Sequence, residues 1–267
     1  MRIARFTPDD IHPFLALAKD EGWISHRREL AFLLERSPNG CLVCHEDNQA
    51  LGFVTAVRHE RSGWIGNLLV RPGSRGRGIG SALFRQAMEV LALEGAVTVW
   101  LTASAAGRPL YERNGFRCCD TIRRWERDGA GRPKHPATTP LLPDWRAIDY
   151  LGWGDARDAL LGYAAAGGSA LGAEQGFLML QPLGGCSQIG PFGALVGSTA
   201  EALLDQVVAA SEERLLLDVP AANRAAPRML TARRFTVMGE ADLMYAGKPP
   251  AYHPECIYGL ASMGSIG

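Results

Sequence analysis

The sequence is short of several things, and each shortage excludes a class. No apolar run approaches the ~18 residues that a membrane-spanning helix needs. The opening residues, Met1-Arg2-Ile3-Ala4-Arg5-Phe6-Thr7-Pro8-Asp9-Asp10, turn acidic where a signal peptide would turn apolar. The expectation is therefore a cytoplasmic chain with no membrane partner. No basic block repeats and the arginines are scattered, so no nucleic-acid partner is expected. Cys41-x-x-Cys44 resembles half a zinc site, but no second pair or His partner follows at ligand spacing. Cys41-Leu42-Val43-Cys44 reads as a strand, so reduced thiols packed in a core are expected, and no metal.

What is present is a globular chain of 267 residues, 47% hydrophobic and 21% charged, long enough for one large domain or two ordinary ones. Its zero formal charge conceals an asymmetry. Residues 1–140 carry 20 Lys and Arg against 15 Asp and Glu, and the remainder 8 against 13. A basic first part suits a polyanionic ligand and an acidic second part a cationic one; two surfaces that attract each other would read the same way.

The pattern predicts an α/β protein. A short strand at Ile3–Phe6 leads to Thr7, which caps a helix through Lys19, and a second helix spans 25–35. Strands follow at 41–45, 51–58 and 63–70, with turns at Asp47-Asn48 and Arg61-Ser62-Gly63. A helix runs from Ser81 to Leu93, a buried strand over Val97–Leu101, and a short helix from Gly107 to Asn114. Residues 128–143 have the composition of a linker. Beyond it come a helix at 155–165, strands at 168–175 and 177–181, a helix at 199–209, a strand at 214–219 and a helix at 223–232. The order of elements repeats, as in a diverged duplication. Ile189-Gly190-Pro191-Phe192-Gly193-Ala194 then stands where the first half has a glycine loop.

That loop, Arg75-Gly76-Arg77-Gly78-Ile79-Gly80, lies between a strand and a helix. Alternate glycines let backbone N–H groups converge on an anion, and the helix that follows aims its free N–H groups at the same place. The expected ligand is an extended molecule with a pyrophosphate, lying over Val70. The dinucleotide fingerprint fails, because Ser81 or Leu83 stands at its last glycine or alanine position. The P-loop fails because Ile79 stands where Lys is required. The remaining alternative is a basic surface turn.

Three features together resemble the GCN5-related N-acetyltransferases, the GNAT superfamily. They are Leu68-Leu69-Val70 followed by the glycine loop, the run Pro109-Leu110-Tyr111-Glu112-Arg113-Asn114-Gly115-Phe116, and two helices after the first strand. Asp218-Val219-Pro220 with Asn223, and the ending Ile257-Tyr258-Gly259-Leu260-Ala261-Ser262, resemble the degenerate second domain of tandem members. The resemblance implies two GNAT-like domains, each a mixed, mostly antiparallel twisted sheet flanked by helices. It places an acetyl-CoA-binding N-acetyltransferase domain at 1–130, a linker at 131–145, and a degenerate domain with an acceptor-site or structural role at 146–267.

The resemblance also implies acetyl-CoA as co-substrate. Its pyrophosphate is expected on the amides of Gly76, Gly78, Gly80 and Ser81, with Ile79 and Ser104 in the same site and its pantetheine along Leu68, Leu69 and Val70. Arg75 either touches phosphate or turns back into the protein; Arg77 adds charge. Tyr111 is the general acid that protonates the leaving thiolate, or else a ring packed beside Phe116. No carboxylate stands on the Val97–Trp100 strand, where many members carry the base. His59, Glu60 and Asn67 lie near the expected cleft, and a relay of ordered waters is the expected base. Trp23 is a candidate pocket wall or a core residue. The acceptor is expected to be a small-molecule amine attacking directly in a ternary complex. A peptide N-terminus or lysine, and a non-catalytic acyl-CoA sensor, are the alternatives. The sequence leaves the oligomeric state open.

Overall fold

A computed structural model describes residues 1–47, 49–131 and 136–267. In the first half, β1 (Arg2–Arg5) is followed by helices α1 (Ile11–Asp20) and α2 (Arg27–Arg36) and by strands β2 (Leu42–Glu46), β3 (Gln49–Arg58) and β4 (Ser62–Val70). Then come α3 (Ile79–Leu93), β5 (Thr98–Ala103), α4 (Arg108–Arg113) and β6 (Arg117–Ala130). The second half comprises α5 (Trp145–Trp153), α6 (Asp158–Ala165), β7 (Ser169–Ala173), β8 (Gly176–Pro182), β9 (Cys186–Ala194), α7 (Gly197–Ala210), β10 (Glu213–Pro220), α8 (Ala226–Ala232), β11 (Thr236–Gly247) and β12 (Ile257–Gly259). Thr7 caps the first helical turn as expected: the Asp10 carboxylate accepts from its backbone N–H at 2.9 Å and its hydroxyl at 2.8 Å.

The halves follow one plan. An antiparallel meander ends in a parallel pair joined by a crossover helix, β4–α3–β5 in the first and β9–α7–β10 in the second. Each parallel pair is brief. Trp64 opposite Trp100 is the last register position of one, and Gln188 opposite Leu216 the last of the other. Past those points the strands diverge and leave a gap.

The halves do not keep separate sheets. They join in one 12-stranded sheet of order β1-β2-β3-β4-β5-β11-β6-β10-β9-β8-β7, with β12 on β9. Strand β11, from the second half, lies between β5 and β6 of the first; β6 lies between β11 and β10 of the second. The expected cut at 131–145 thus divides the chain but not the sheet, and the first residues of the linker-like stretch, 128–130, belong to β6. Residues 132–135 lie outside the described residues.

Two differences from the sequence reading concern strands. Ile189–Ala194 is not a loop; it is the buried C-terminal part of β9. The counterpart of the glycine loop shrinks to Leu195 and Val196 before α7. Strand β6 leaves no mark in the sequence because it is densely charged, with no apolar alternation; β11 carries two charges, Glu240 and Asp242, in mid-strand. Their charges pair across strands: Arg123 with Glu240 at 2.9 Å, Arg124 with Asp218 at 2.8 Å, and Arg214 of β10 with Glu126 at 2.6 Å.

The core also crosses the divide. Trp153 of α5 packs edge-on against Trp64 (5.9 Å) and Trp100 (5.7 Å), the residues that end the β4–β5 ladder. Buried Asp155 accepts from the Ser62 backbone N–H at 2.7 Å and hydroxyl at 2.6 Å, which fixes the start of β4. Cys41 and Cys44 are buried and unbridged, and no metal-holding group occurs among the described residues. No helix of the described residues is long and apolar enough to cross a membrane.

Because each half supplies a central strand to the other, separation should unfold both. Fragments 1–131 and 136–267 expressed apart are expected to show no cooperative thermal transition; co-expressed, they should co-purify and melt as one species. A cooperative melt of either fragment alone would refute the interdependence.

Candidate functional site

The gap between β4 and β5 opens into a cleft of about 910 Å³. Its wall on the β4 side is created by a bulge. On β3, Thr55 faces Gly66 and Phe53 faces Leu69, so Asn67 and Leu68 oppose the single residue Val54. Asn67 takes φ +54 to make the bulge, and its amide donates to Thr55 Oγ1 at 3.1 Å. With β5 gone, the edge of β4 from Ile65 to Val70 has no neighbouring strand on that side among the described residues, so its N–H and C=O groups can pair with an extended ligand.

The glycine turn closes the near end. Gly76 (φ +77) and Gly78 (φ +79) adopt the left-handed conformation, and Gly78 is the N-cap of α3. A Cβ at either glycine would meet no atom, so backbone conformation rather than crowding selects them. Unpaired N–H groups of the first α3 turn therefore face the cleft mouth.

Leu68, Leu69, Val70, Arg75, Gly76, Gly78, Ile79, Gly80, Ser81, Ser104 and Tyr111 all line this cleft; Arg77 does not. The Arg77 guanidinium turns away to chelate Glu46 at 2.8 and 2.9 Å. Arg75 bonds the Val70 carbonyl at 3.0 Å and pairs with Glu21 at 2.5 Å, so it braces the turn against the end of α1. Ser104 Oγ accepts from the Gly107 N–H at 3.3 Å, which positions the start of α4.

Tyr111 packs against Phe84 (5.3 Å) and Phe116 (6.1 Å) and still lines the cleft, so packing and access coexist. Burial pushes its hydroxyl up to about 12, which keeps it protonated across the working range.

Of the residues considered as a base, Glu60 and His59 do not line the cleft; Asn67 does, but an amide is no base. Desolvation, then Arg157 and Arg36, hold His59 near 3. One carboxylate escaped the sequence reading. Glu29 sits on the buried stripe of α2 beside Leu30 and Leu33, and desolvation raises it to about 7 against the polar side chains of Ser265 and Asn67. A carboxylate within an apolar stripe was the signal for it. Trp23 lines the cleft mouth and is 41% exposed, so it is a wall and not core.

The far end is built by the second half. The strap of residues 260–266 crosses from β12 onto β4. Its Gly264 carbonyl accepts from Trp64 Nε1 at 3.2 Å and Thr102 Oγ1 at 3.1 Å, spanning the diverging strands. A Cβ on Gly66 would stand 2.1 Å from the Ser265 oxygen, so only glycine lets the strap lie on β4. Arg124 of β6, chelated by Asp218 and bonded to the Met263 carbonyl at 3.1 Å, completes that end.

The equivalent gap in the second half is filled by the chain itself. Strand β12 pairs with β9, and the Leu260 N–H bonds the Asp218 carbonyl of β10 at 2.9 Å. Asn223 caps α8 and donates to the Ile257 carbonyl at 2.9 Å, holding that plug. Leu230, which stands where Tyr111 does in the first half, is fully buried.

Comparisons with known proteins agree with this geometry. Residues 37–118 and 147–259 each match the family described as "Acetyltransferase (GNAT) domain". An uncharacterized N-acetyltransferase of Methanocaldococcus jannaschii is 28% identical over 147 residues, which is 47% of this chain and 64% of that protein. An uncharacterized N-acetyltransferase of Archaeoglobus fulgidus is 28% identical over 151 residues, 49% of this chain and 99% of that protein. The crystal structure of a putative acetyltransferase from Pyrococcus horikoshii shares the fold with a TM-score of 0.84 at 24% identity, over 98% of this chain and 94% of its own. The open gap with its glycine turn, the plugged gap that repeats it and the paired domain matches have one reading: the chain belongs to the GNAT acetyltransferase superfamily, as a tandem protein with a degenerate second domain.

Proposed function

We propose that the protein is an acetyl-CoA-dependent N-acetyltransferase with one active site, in the first domain (1–130), and that the second (146–267) shapes the acceptor end. One observation carries this reading: a single cleft joins an unpaired strand edge, an anion-receptive helix start and a protonated phenol. The Gly76, Gly78, Gly80 and Ser81 amides hold the pyrophosphate, and the Leu68–Val70 backbone pairs with the pantetheine amides. A backbone N–H beside the bulge polarises the thioester carbonyl as negative charge develops on it. The amine nitrogen attacks the acetyl carbon, the C–S bond breaks, and Tyr111 gives its proton to the departing thiolate.

The strap supports a small acceptor. It spans the diverging strands at the far end of the cleft and is tied down at Trp64 and Thr102, which narrows the room for an acceptor there. A primary amine on a compact molecule fits this closed end; a peptide N-terminus or lysine would need the strap lifted. Charge does not narrow the acceptor further, since Asp218 is neutralised by Arg124 and Glu240 by Arg123.

Thiol release from acetyl-CoA with a panel of small amines and short peptides tests the reading. Turnover of small amines is expected, and Tyr111→Phe should lower kcat about tenfold or more with little change in acetyl-CoA affinity. Acetyl-CoA binding without turnover of any acceptor would make the protein an acyl-CoA sensor instead. Unchanged kcat in Tyr111→Phe would remove the acid assignment.

Arg77 supplies field and not contact, so the effect of its reversal should depend on salt. Arg77→Glu is expected to weaken acetyl-CoA binding by roughly threefold at low salt and to lose most of that effect near 0.5 M, where the Debye length is only a few ångströms. A loss that persists at high salt would mean that Arg77 swings from Glu46 onto the ligand.

A further inference from the structure

The acetyltransferase reading leaves a proton without a destination. An amine at neutral pH arrives as an ammonium, and its lone pair attacks only after one N–H proton has left. Along the cleft wall the carboxylates Glu21, Asp218 and Glu240 are each held by an arginine. Behind that wall lies Glu29, 8% exposed, with no ion pair to any described residue. Its polar neighbours Asn67 and Ser265 both line the cleft. Burying an unpaired carboxylate is costly, and here it is placed behind two polar side chains on the acceptor side of the site.

The elements around it hold this arrangement. Asn67 is pinned in the β4 bulge by Thr55. Ser265 is oriented by Ser262, whose buried hydroxyl accepts from the N–H groups of Ser265 (3.0 Å) and Ile266 (2.9 Å). Glu29 is fixed in the first turn of α2, where its backbone N–H bonds His26 Nδ1 at 3.4 Å. Tyr163 of α6 feels the Glu29 charge and carries the Arg28 guanidinium 4.0 Å from its ring centroid.

We propose that Glu29 receives the proton of the acceptor amine, relayed by the Ser265 hydroxyl that the second domain contributes. The inference rests on the acetyltransferase reading. The ammonium gives one proton to Ser265 Oγ as Ser265 passes its own to the Glu29 carboxylate, which leaves a neutral amine. The nitrogen lone pair then forms the C–N bond, and the C–S bond breaks. The thiolate takes the Tyr111 proton, and the nitrogen's surplus proton restores Tyr111. Glu29 releases its proton to solvent after product departure. Ser265 is the group that touches the substrate; Glu29 acts through it.

The titration of this assembly is assignable. Tyr163 stays protonated, its hydroxyl pushed far up by burial and then by Glu29, with Arg28 opposing. Burial and Arg28 lower His26 below its ordinary value, and His59 lies near 3. Glu29, at about 7, is the group of this set that changes charge near neutrality. A base works when deprotonated, so activity should rise with pH through about 7.

The experiment compares pH profiles of kcat/KM for the full chain, Glu29→Gln, Glu29→Asp and Ser265→Ala, with acetyl-CoA and the best amine of the panel. The wild type should show a rising limb centred near pH 7. Glu29→Gln should lose that limb and about tenfold or more of kcat at pH 8, with the KM for acetyl-CoA within about twofold. Glu29→Asp should recover part of the rate, and Ser265→Ala should fall with Glu29→Gln. Thermal stability separates a merely structural role. A carboxyl whose pKa is higher folded than unfolded loses stability as pH rises between the two values. Glu29→Gln should therefore melt at the same or a higher temperature at pH 8 while its rate collapses. A limb retained in Glu29→Gln overturns the proposal, as does an unchanged kcat in Ser265→Ala, which decides the matter should Glu29→Gln not fold. A wild type that turns over no amine overturns the acetyltransferase reading itself and this inference with it.

Discussion

The exchange of β6 and β11 between the halves is the constraint on which the rest depends. A GNAT-type sheet that opens after β4 needs something firm beyond β5, or the gap would widen without limit. Here β11 supplies it, bonded along β5 from Thr98 to Ala103, and β6 locks β11 in turn to the second half. The same exchange brings α5 under the gap, where Trp153 wedges against the two tryptophans at which the strands part. It also delivers the strap, because the chain leaving β11 must return past β9 and β10 before it reaches β4. The cleft is thus a product of both halves, although the glycine turn, the open strand edge and Tyr111 all come from the first.

The two gaps show how one topology yields one site. Both begin after a short parallel ladder, and both expose strand edges that need hydrogen-bond partners. In the second half the chain's own β12 satisfies the β9 edge and Leu260 reaches β10. In the first half the Ile65–Val70 edge stays open, and on the proposed function it receives a ligand of the same kind, an extended molecule with amide groups. Loss of the glycine turn before α7 is consistent with this: a gap already filled by backbone has no use for an anion-receptive helix start.

How much was legible follows from which forces write themselves into sequence. The glycine turn, Tyr111 and the β4 edge were readable because left-handed glycines and a strand-to-helix boundary are local facts. The element order was readable from periodicity. Strand β6 was not, because a central strand that pairs through Arg123, Arg124 and Glu126 carries no apolar alternation, and β11 interrupts its apolar residues with Glu240 and Asp242. The strand exchange has no local signature at all. The Ile189–Ala194 run misled because Gly190 and Gly193 look like a loop, whereas in β9 they admit close neighbours: a Cβ at Gly190 would lie 1.9 Å from the Leu260 carbonyl oxygen. Arg77 misled in the opposite sense, since its motif position says nothing about Glu46, which is distant in sequence.

Desolvation governs Tyr111 and Glu29, the two groups to which the proposed mechanism gives opposite uses. Burial raises Tyr111 to about 12 and Glu29 to about 7. The phenol becomes a donor that never ionises under working conditions. The carboxyl becomes an acceptor whose affinity for a proton matches neutral pH, where an exposed Glu would hold none. The surroundings of each arise from packing that also builds the cleft: Phe84 and Phe116 around the phenol, and the buried stripe of α2 with Asn67 and Ser265 around the carboxylate. The strap is therefore more than a lid. Its Ser265 side chain stands beside the buried Glu29 carboxyl and also lines the cleft. On the proposed mechanism the second domain thus helps to set the proton affinity of its neighbour's site.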